Sequence, residues 1–255
     1  MKHAVAYYVR NAATSILITF GVLVGVFLVI GILVNIDAAR VEVTVGGTAT
    51  IKDNGVFSGF DMAYAVFVFV WSLCAFRVQF RFFQQNGISR KSQFAAWGIT
   101  AVAMSLFLAV LSVAITYGIN QFFNYRSIFQ QMYAPLFASG AGASLVFQEM
   151  LWNAALFLGE AGAGFAITLL YYRMGKTTKV LVSVLVPASL LLGLPAIDGL
   201  AQGALTRFFG RVGPQMFGFF DSGINILAPV GVFLAVALIA AGLAWGMMRR
   251  VPVKA

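Results

Sequence analysis

Charged residues are scarce in this sequence: Asp, Glu, Lys and Arg together make up 10% of its 255 residues, and only eight are acidic. An average soluble domain is about 25% charged, so this composition argues against a soluble catalytic domain. Hydrophobic residues make up 61% and form several runs of roughly 20 residues, the length that crosses a bilayer as a helix. The runs do not alternate between polar and apolar residues, as barrel strands would. The sequence therefore predicts an all-α integral membrane protein.

Cysteine and histidine are almost absent, with one of each, Cys74 and His3. This excludes an internal disulfide bond and argues against a metal site. Residues 175–177 read Gly-Lys-Thr, like the end of a phosphate-binding loop, but position 170 is Leu instead of the required Gly, and an apolar run precedes the segment where a strand would be needed. With no nucleotide fingerprint or catalytic triad either, we expect no enzyme activity, cofactor or metal in this chain.

Six apolar runs predict six transmembrane helices within a single domain that covers residues 1–255. The predicted spans are approximately residues 14–36, 59–76, 95–119, 145–172, 180–197 and 224–248. Alternating residues in 37–58 predict a short extracellular hairpin after the first span. Residues 198–222 are rich in Gly and Phe and too broken to cross a bilayer, so we expect two short helices in the outer leaflet before the sixth span. Pro187 and Pro195 are expected to interrupt the fifth span.

The net charge of +9 reflects where the basic residues lie. Twelve of the 17 Lys and Arg residues fall in four segments, which are the two termini, the connection between the second and third spans, and the connection between the fourth and fifth. All eight acids lie elsewhere. Basic residues concentrate in cytoplasmic loops, so both termini are predicted to be cytoplasmic, and topology explains the charge without nucleic acid as a partner.

The connection between the second and third spans contains a short amphipathic pattern. Phe76, Phe80 and Phe83 fall on one helical stripe, and Arg77, Arg81 and Gln84 fall on the next. The pair at residues 86–87, Asn-Gly, is expected to end one helix, and Ser89 to cap the next. We call residues 80–91 the elbow, and they form a candidate docking surface for a soluble partner. Its residues are Phe80, Arg81, Phe82, Phe83, Gln84, Gln85, Asn86, Gly87, Ile88, Ser89, Arg90 and Lys91. The alternative is a plain interfacial loop, with Phe in lipid and Arg at anionic headgroups.

Polar residues inside the fourth span form a second candidate site. Glu149, Asn153 and Glu160 are expected to share one helical face, because eleven residues at about 100° each return close to the starting direction. Ionisable groups are costly inside a bilayer, which favours a functional role such as lining a substrate path. The alternative is structural: Glu149 lies at the outer interface and Glu160 is a packing residue among glycines.

The layout and the elbow sequence together resemble a known family. Six spans, cytoplasmic termini, no nucleotide site and residues 85–91, Gln-Asn-Gly-Ile-Ser-Arg-Lys, after a Phe-rich helix are similar to the permease subunit of type-2 ABC exporters of Gram-positive bacteria. The resemblance implies that the elbow is the coupling helix, which docks on two separate ATP-binding cassette subunits that hold ATP and Mg²⁺. It further implies a second permease, identical or homologous, outward transport, and location in the bacterial cell membrane. One departure is the short stretch before the first span, where the family usually has an amphipathic helix.

Two alternatives to this function remain open at the level of sequence. One is an ion-coupled secondary carrier that uses Glu149 and Glu160, and the other is a membrane protein that transports nothing, such as an immunity or sensor protein. The residues select neither a substrate class nor a homodimer over a heterodimer.

Overall fold

The computed structural model describes residues 2–35, 60–121, 125–137, 140 and 142–250, and within these ranges the chain is almost entirely helical. The α-helices are α1 Lys2–Asn35, α2 Phe60–Cys74, α3 Arg77–Gln85, α4 Arg90–Ile119, α5 Ile128–Met132, α6 Ala143–Arg173, α7 Lys176–Ala188, α8 Leu194–Leu200, α9 Ala204–Met216 and α10 Leu227–Met248. A 3₁₀ turn at Ala134–Phe137 follows α5, and strands β1 Phe219–Phe220 and β2 Gly223–Ile224 pair as a short antiparallel hairpin before α10. The predicted hairpin at 37–58 lies outside the described residues.

Among the residues that the structure describes fully, four helical segments are long and apolar enough to cross a membrane: α4, α6, α7 through α8, and α10. Helix α2 is apolar but has only 15 residues, which is about 22 Å of helix against a hydrocarbon core of about 30 Å. The helices confirm a mostly helical chain compatible with a membrane protein, whereas the six spans and their topology stay predictions.

Helix α6 lies at the centre of the bundle, because glycines on its surface let neighbouring helices approach closely. A Cβ added at Gly164 would lie 2.6 Å from the carbonyl oxygen of Phe69 on α2. A Cβ at Gly162 would lie 3.2 Å from the carbonyl oxygen of Ala237 on α10. These small residues allow backbone-to-backbone packing of the kind that holds membrane helices together.

The helices run in directions that give the bundle two distinct ends. Trp97, near the start of α4, stacks on Phe165 near the end of α6, with ring centroids 4.0 Å apart, so α4 runs antiparallel to α6. We call the end where α3, the starts of α1 and α4 and the ends of α6 and α10 meet the basic end. We call the other, where α2 and α6 begin, the carboxylate end.

The segment from α7 to α9 differs from the rest of the bundle, because none of its residues is buried. The predicted interruption at Pro187 and Pro195 takes the form of a π-helical turn, Ser189–Gly193, which joins α7 to α8. Residues 198–222 differ from the prediction of two short helices: they hold the end of α8, the single amphipathic helix α9 and the β1 strand. The Asp198 carboxylate accepts a hydrogen bond from the backbone amide of Leu205, at the start of α9, with an oxygen-to-nitrogen distance of 2.8 Å. This bond fixes the turn between α8 and α9.

Candidate functional site

The elbow at the basic end ends helix α3 with a complete Schellman motif. The Ile88 amide donates to the Phe83 carbonyl at 2.9 Å, and the Gly87 amide donates to the Gln84 carbonyl at 3.2 Å. Gly87 has φ +69°, in the left-handed region that glycine adopts without a steric cost. The predicted helix break is thus a defined turn with its backbone groups satisfied.

Side chains complete the hydrogen bonding of this turn. The Ser89 hydroxyl oxygen accepts from the Ser92 amide at 3.2 Å, which confirms the predicted N-cap of α4. The side-chain nitrogen of Asn86, Nδ2, donates to the Phe82 carbonyl at 2.7 Å. The elbow therefore has one well-determined conformation, set by residues close together in sequence.

The aromatic residues of the elbow face in two directions. Phe80 and Phe83 are fully buried: Phe80 stacks on Phe76 with centroids 4.7 Å apart, and Phe83 packs on Tyr8 with centroids 5.4 Å apart. These rings anchor the elbow on its own bundle, so their part in any docking surface is indirect. Phe82 is 46% exposed and lies on the surface.

The exposed tip of the elbow is polar. Its exposed residues beside Phe82 are Gln85, Asn86, Gly87, Ser89 and Lys91, while Gln84, Ile88 and Arg90 are half-buried. The backbone of Arg81 lies within α3, but its side chain is outside the described part of the structure. The tip therefore offers amides, a hydroxyl and one lysine to a partner.

Arg90 joins the elbow to the far end of the chain. Its Nη1 donates to the carbonyl of Arg249 at 2.8 Å and to that of Met248 at 3.4 Å, where α10 ends. Its guanidinium also lies over the Phe80 ring, 5.9 Å from the centroid. A cation is favourable at a helix C-terminus, so Arg90 ties the start of α4 to the end of α10.

The carboxylate end holds a buried polar network that we call the carboxylate cluster. Its members are Asp61, Ser112, Tyr117, Ser127, Gln130 and Glu149. Glu149 is fully buried and accepts hydrogen bonds from the Ser127 hydroxyl at 2.5 Å, the Gln130 side-chain nitrogen at 3.3 Å and the Tyr117 hydroxyl at 3.3 Å. One oxygen takes the Ser127 bond and the other takes the remaining two.

Asp61, on α2, joins the same network and is also fully buried. It accepts from the Ser112 hydroxyl on α4 and from the Ile128 amide at 3.0 Å. Ser127 and Ile128 are consecutive residues, so their bonds to Glu149 and Asp61 bring the two carboxylates side by side. The network therefore holds the loop that contains α5 against three helices, α2, α4 and α6.

The three polar residues predicted on the fourth span do not form one site. Glu149 and Asn153 are fully buried at the carboxylate end, whereas Glu160 is half-buried. Within the described residues we find no hydrogen bond to Glu160. The three residues do lie on one face of α6, as predicted. Glu160 is seven residues from Asn153, however, which places it about 10 Å further along the helix.

Asp61 was not singled out from sequence, although the signal was present. A carboxylate in the first turn of an apolar helix is as costly inside a bilayer as Glu149, and the same rule that selected Glu149 applies to it. The hydroxyl and amide partners carry no such signal, because Ser, Tyr and Gln occur throughout the chain.

The chain was compared with protein-family models, curated proteins and solved structures, and none of the three comparisons found a match. The elbow and the carboxylate cluster are therefore the features from which a function can be argued.

Proposed function

We propose that this protein is the transmembrane permease subunit of an ATP-binding cassette exporter, moving its substrate outward with ATP that separate partner subunits hydrolyse. In this proposal six helices span a bacterial cell membrane, and both termini lie in the cytoplasm with the elbow. The observation that carries the proposal is the construction of the elbow, a rigid polar tip on buried anchors. A loop that merely lies on lipid has no need of such a construction.

The anchors make the elbow suited to transmit force. Phe83 connects it to α1 and Phe80 connects it to α6 and to Phe76, which lies just after α2, through buried ring contacts, and Arg90 connects it to α10. Protein interiors resist compression, so a displacement of the tip would move these helices with it. ATP binding in two partner subunits would supply that displacement.

Helices α7 and α8 also support the proposal, because they leave an apolar surface exposed. They are apolar, and none of their residues is buried within the described chain. This leaves a long helical surface for lipid and for a second permease, identical or homologous. We expect the substrate path to lie between the two permeases.

The proposal predicts that an ATP-binding cassette subunit is encoded beside this chain, and capture of that subunit by the purified protein is its test. Gln85→Glu combined with Lys91→Glu reverses the charge of the exposed tip without touching a buried contact. An acid in the first turn of α4 is favourable to the helix dipole, so the fold is retained. We expect capture in detergent to fall by at least about tenfold, because like charges across an interface are strongly unfavourable.

A matched control applies the same chemistry elsewhere. Arg211→Glu with Gln215→Glu changes two exposed residues of α9 and should leave capture unchanged. Equal capture by the elbow variant and the parent protein would contradict docking at the elbow.

An ion-coupled carrier is a second candidate, favoured by one observation: Asp61 and Glu149 are both fully buried and belong to one hydrogen-bonded network. The pair differs from the Glu149 and Glu160 pair expected from sequence. This candidate predicts transport by the chain alone in proteoliposomes, driven by an ion gradient and lost in Glu149→Gln. Transport that requires the ATPase would favour the exporter.

A further inference from the structure

The carboxylate cluster raises a question of charge balance. Asp61 and Glu149 are fully buried, and the structure shows no lysine or arginine in the described residues bonded to either of them. An isolated buried charge is strongly unfavourable, and buried charges in proteins are paired or coordinate metal ions. Two carboxylates side by side need either bound protons or a cation.

The hydrogen-bond donors around the cluster are suited to the ionised form. Every carboxylate oxygen of the pair accepts at least one bond from a protein donor. The Ile128 amide and the Gln130 side-chain nitrogen can only donate, so they match a carboxylate oxygen and not a carboxyl O–H. These two donors hold one oxygen of each carboxyl group unprotonated, and they leave the other oxygen, which faces a serine hydroxyl, to a proton or to a cation.

Asn153 supplies an independent observation. Its side chain is 0% exposed, and neither its amide oxygen nor its amide nitrogen has a hydrogen-bond partner in the described structure. Such a group costs about 1–3 kcal/mol when left unpaired. Ser105 and Gln93 also have buried polar atoms without a partner, so what distinguishes Asn153 is its place beside two buried carboxylates, where a bound cation would satisfy its oxygen.

The packing of α2 on α6 directs Asn153 toward the cluster. The Tyr64 ring packs edge-on against the Phe157 ring, with centroids 6.4 Å apart. Asp61 lies three residues before Tyr64, and Asn153 lies four residues before Phe157, so both are one turn further toward the carboxylate end. Glu149 lies one further turn towards the start of α6, on the same face of the helix.

Thr116 adds a further oxygen from α4. Its hydroxyl is buried and has no hydrogen-bond partner among the described residues. It lies one turn beyond Ser112, which bonds to Asp61, and next to Tyr117, which bonds to Glu149. Three helices thus contribute buried carboxylate, amide and hydroxyl oxygens at the carboxylate end of the bundle, within one helical turn of the residues that bond to one another.

We propose that Asp61, Glu149, Asn153 and Thr116 form a binding site for a hard, oxygen-liganded cation of the sodium or calcium class. The ligand set contains oxygen and neither sulfur nor imidazole, which selects alkali and alkaline-earth cations over zinc or copper. The site does not depend on the proposed function. In an exporter the cation fixes the α5 connection to the bundle, and in a carrier the same cation is the coupling ion.

The test measures thermal unfolding of the purified full chain in detergent at fixed pH and ionic strength. Tryptophan fluorescence is the readout, and Trp152 lies beside Asn153. The protein is compared in choline chloride, sodium chloride and calcium chloride. A cation that binds only the folded state raises the Tm, by about 5 °C at a hundredfold excess over its Kd.

The decisive variant is Asn153→Leu, which removes the amide oxygen and keeps the branching and the number of non-hydrogen atoms of the side chain. If Asn153 is a ligand, this variant loses the rise in Tm caused by sodium or calcium. If Asn153 is merely an unpaired buried amide, the variant unfolds at a higher temperature in all three salts and keeps any cation effect, since it removes an unsatisfied group.

Ser105→Ala is the matched control, because Ser105 is a buried hydroxyl without a partner two turns along α4 from Ser112. It should retain the full cation effect. A parent Tm that is equal in the three salts would overturn the proposal, and so would a Tm that responds to pH but to neither cation. Glu149→Gln serves as a second ligand variant with the same expected loss.

Discussion

The two ends of the bundle are built by opposite means. The elbow is closed by hydrogen bonds between residues three to five positions apart, such as Ile88 to Phe83 and Ser92 to Ser89. The carboxylate cluster is closed by bonds between residues far apart in sequence, such as Ile128 to Asp61, which are 67 positions apart. One end is therefore specified locally, and the other exists only once the helices have assembled.

The comparison predicts that the buried anchors of the elbow matter more to stability than its local turn. Phe80→Ala should lower the free energy of unfolding by about 3 kcal/mol, since it leaves a cavity among Phe76, Tyr172 and Arg90. Thermal unfolding of the detergent-solubilised protein measures this loss.

Phe82→Ala is the matched control for that change, because Phe82 is 46% exposed on the same helix. It should cost well under about 1 kcal/mol. Equal losses for the two variants would show that the elbow is not anchored through its buried face.

At the carboxylate end, Ser127→Ala tests how strongly one bridging residue holds the assembly. Ser127 donates to Glu149 and accepts from the Gln130 amide, where it caps α5. Loss of both bonds should cost about 2 kcal/mol, because Glu149 keeps its burial with one donor fewer.

Limited proteolysis provides a second readout for this variant, since cleavage should increase in the α5 connection before it increases elsewhere. Ser144→Ala, at an exposed position near the start of α6, should change neither quantity. A Ser127 variant as stable and as protease-resistant as the parent would mean that the cluster does not hold α5 in place.

This difference between the two ends explains what could be predicted from the sequence. The break at Gly87 and the cap at Ser89 follow from local rules, and the structure confirms both. The stripe formed by Phe76, Phe80 and Phe83 was also correct as a pattern. Periodicity identifies an apolar face but not what covers it, and here the face is covered by the protein's own Tyr8 and by the surrounding bundle.

The carboxylate cluster could be predicted only in part. Glu149 and Glu160 were selected because ionisable groups inside a span are costly, and helical spacing grouped Asn153 with them. Spacing along one helix cannot show which residues another helix reaches. Asp61 reaches the cluster because α2 packs closely against Gly164, and that contact depends on the tertiary arrangement.

The local turn of the elbow should show a smaller effect than its anchors. Gly87→Ala places a Cβ at φ +69° and should cost about 1–2 kcal/mol. The space around Gly87 is open, so the cost comes from backbone conformation and not from a clash.

Gly175→Ala is the matched control for Gly87→Ala, because Gly175 is equally open but has φ −69°. It should be neutral within about 0.5 kcal/mol. If both alanine variants lose the same stability, the left-handed turn does not explain the loss at Gly87.

The smallest expected effect concerns Arg90. Its hydrogen bonds join residues that are 158 and 159 positions apart in sequence, so in this one respect the elbow is like the carboxylate end. Arg90→Gln removes the cation from the end of α10 and should cost about 0.5–1 kcal/mol at low salt. Part of this cost should disappear at high salt, since screening weakens the charge interaction in the parent protein. Arg90→Lys keeps the charge but not the planar guanidinium, so it should recover the salt dependence and only part of the stability. A salt-independent loss in Arg90→Gln would instead assign the contribution of Arg90 to its hydrogen bonds and its packing over Phe80, and not to its charge at the end of α10.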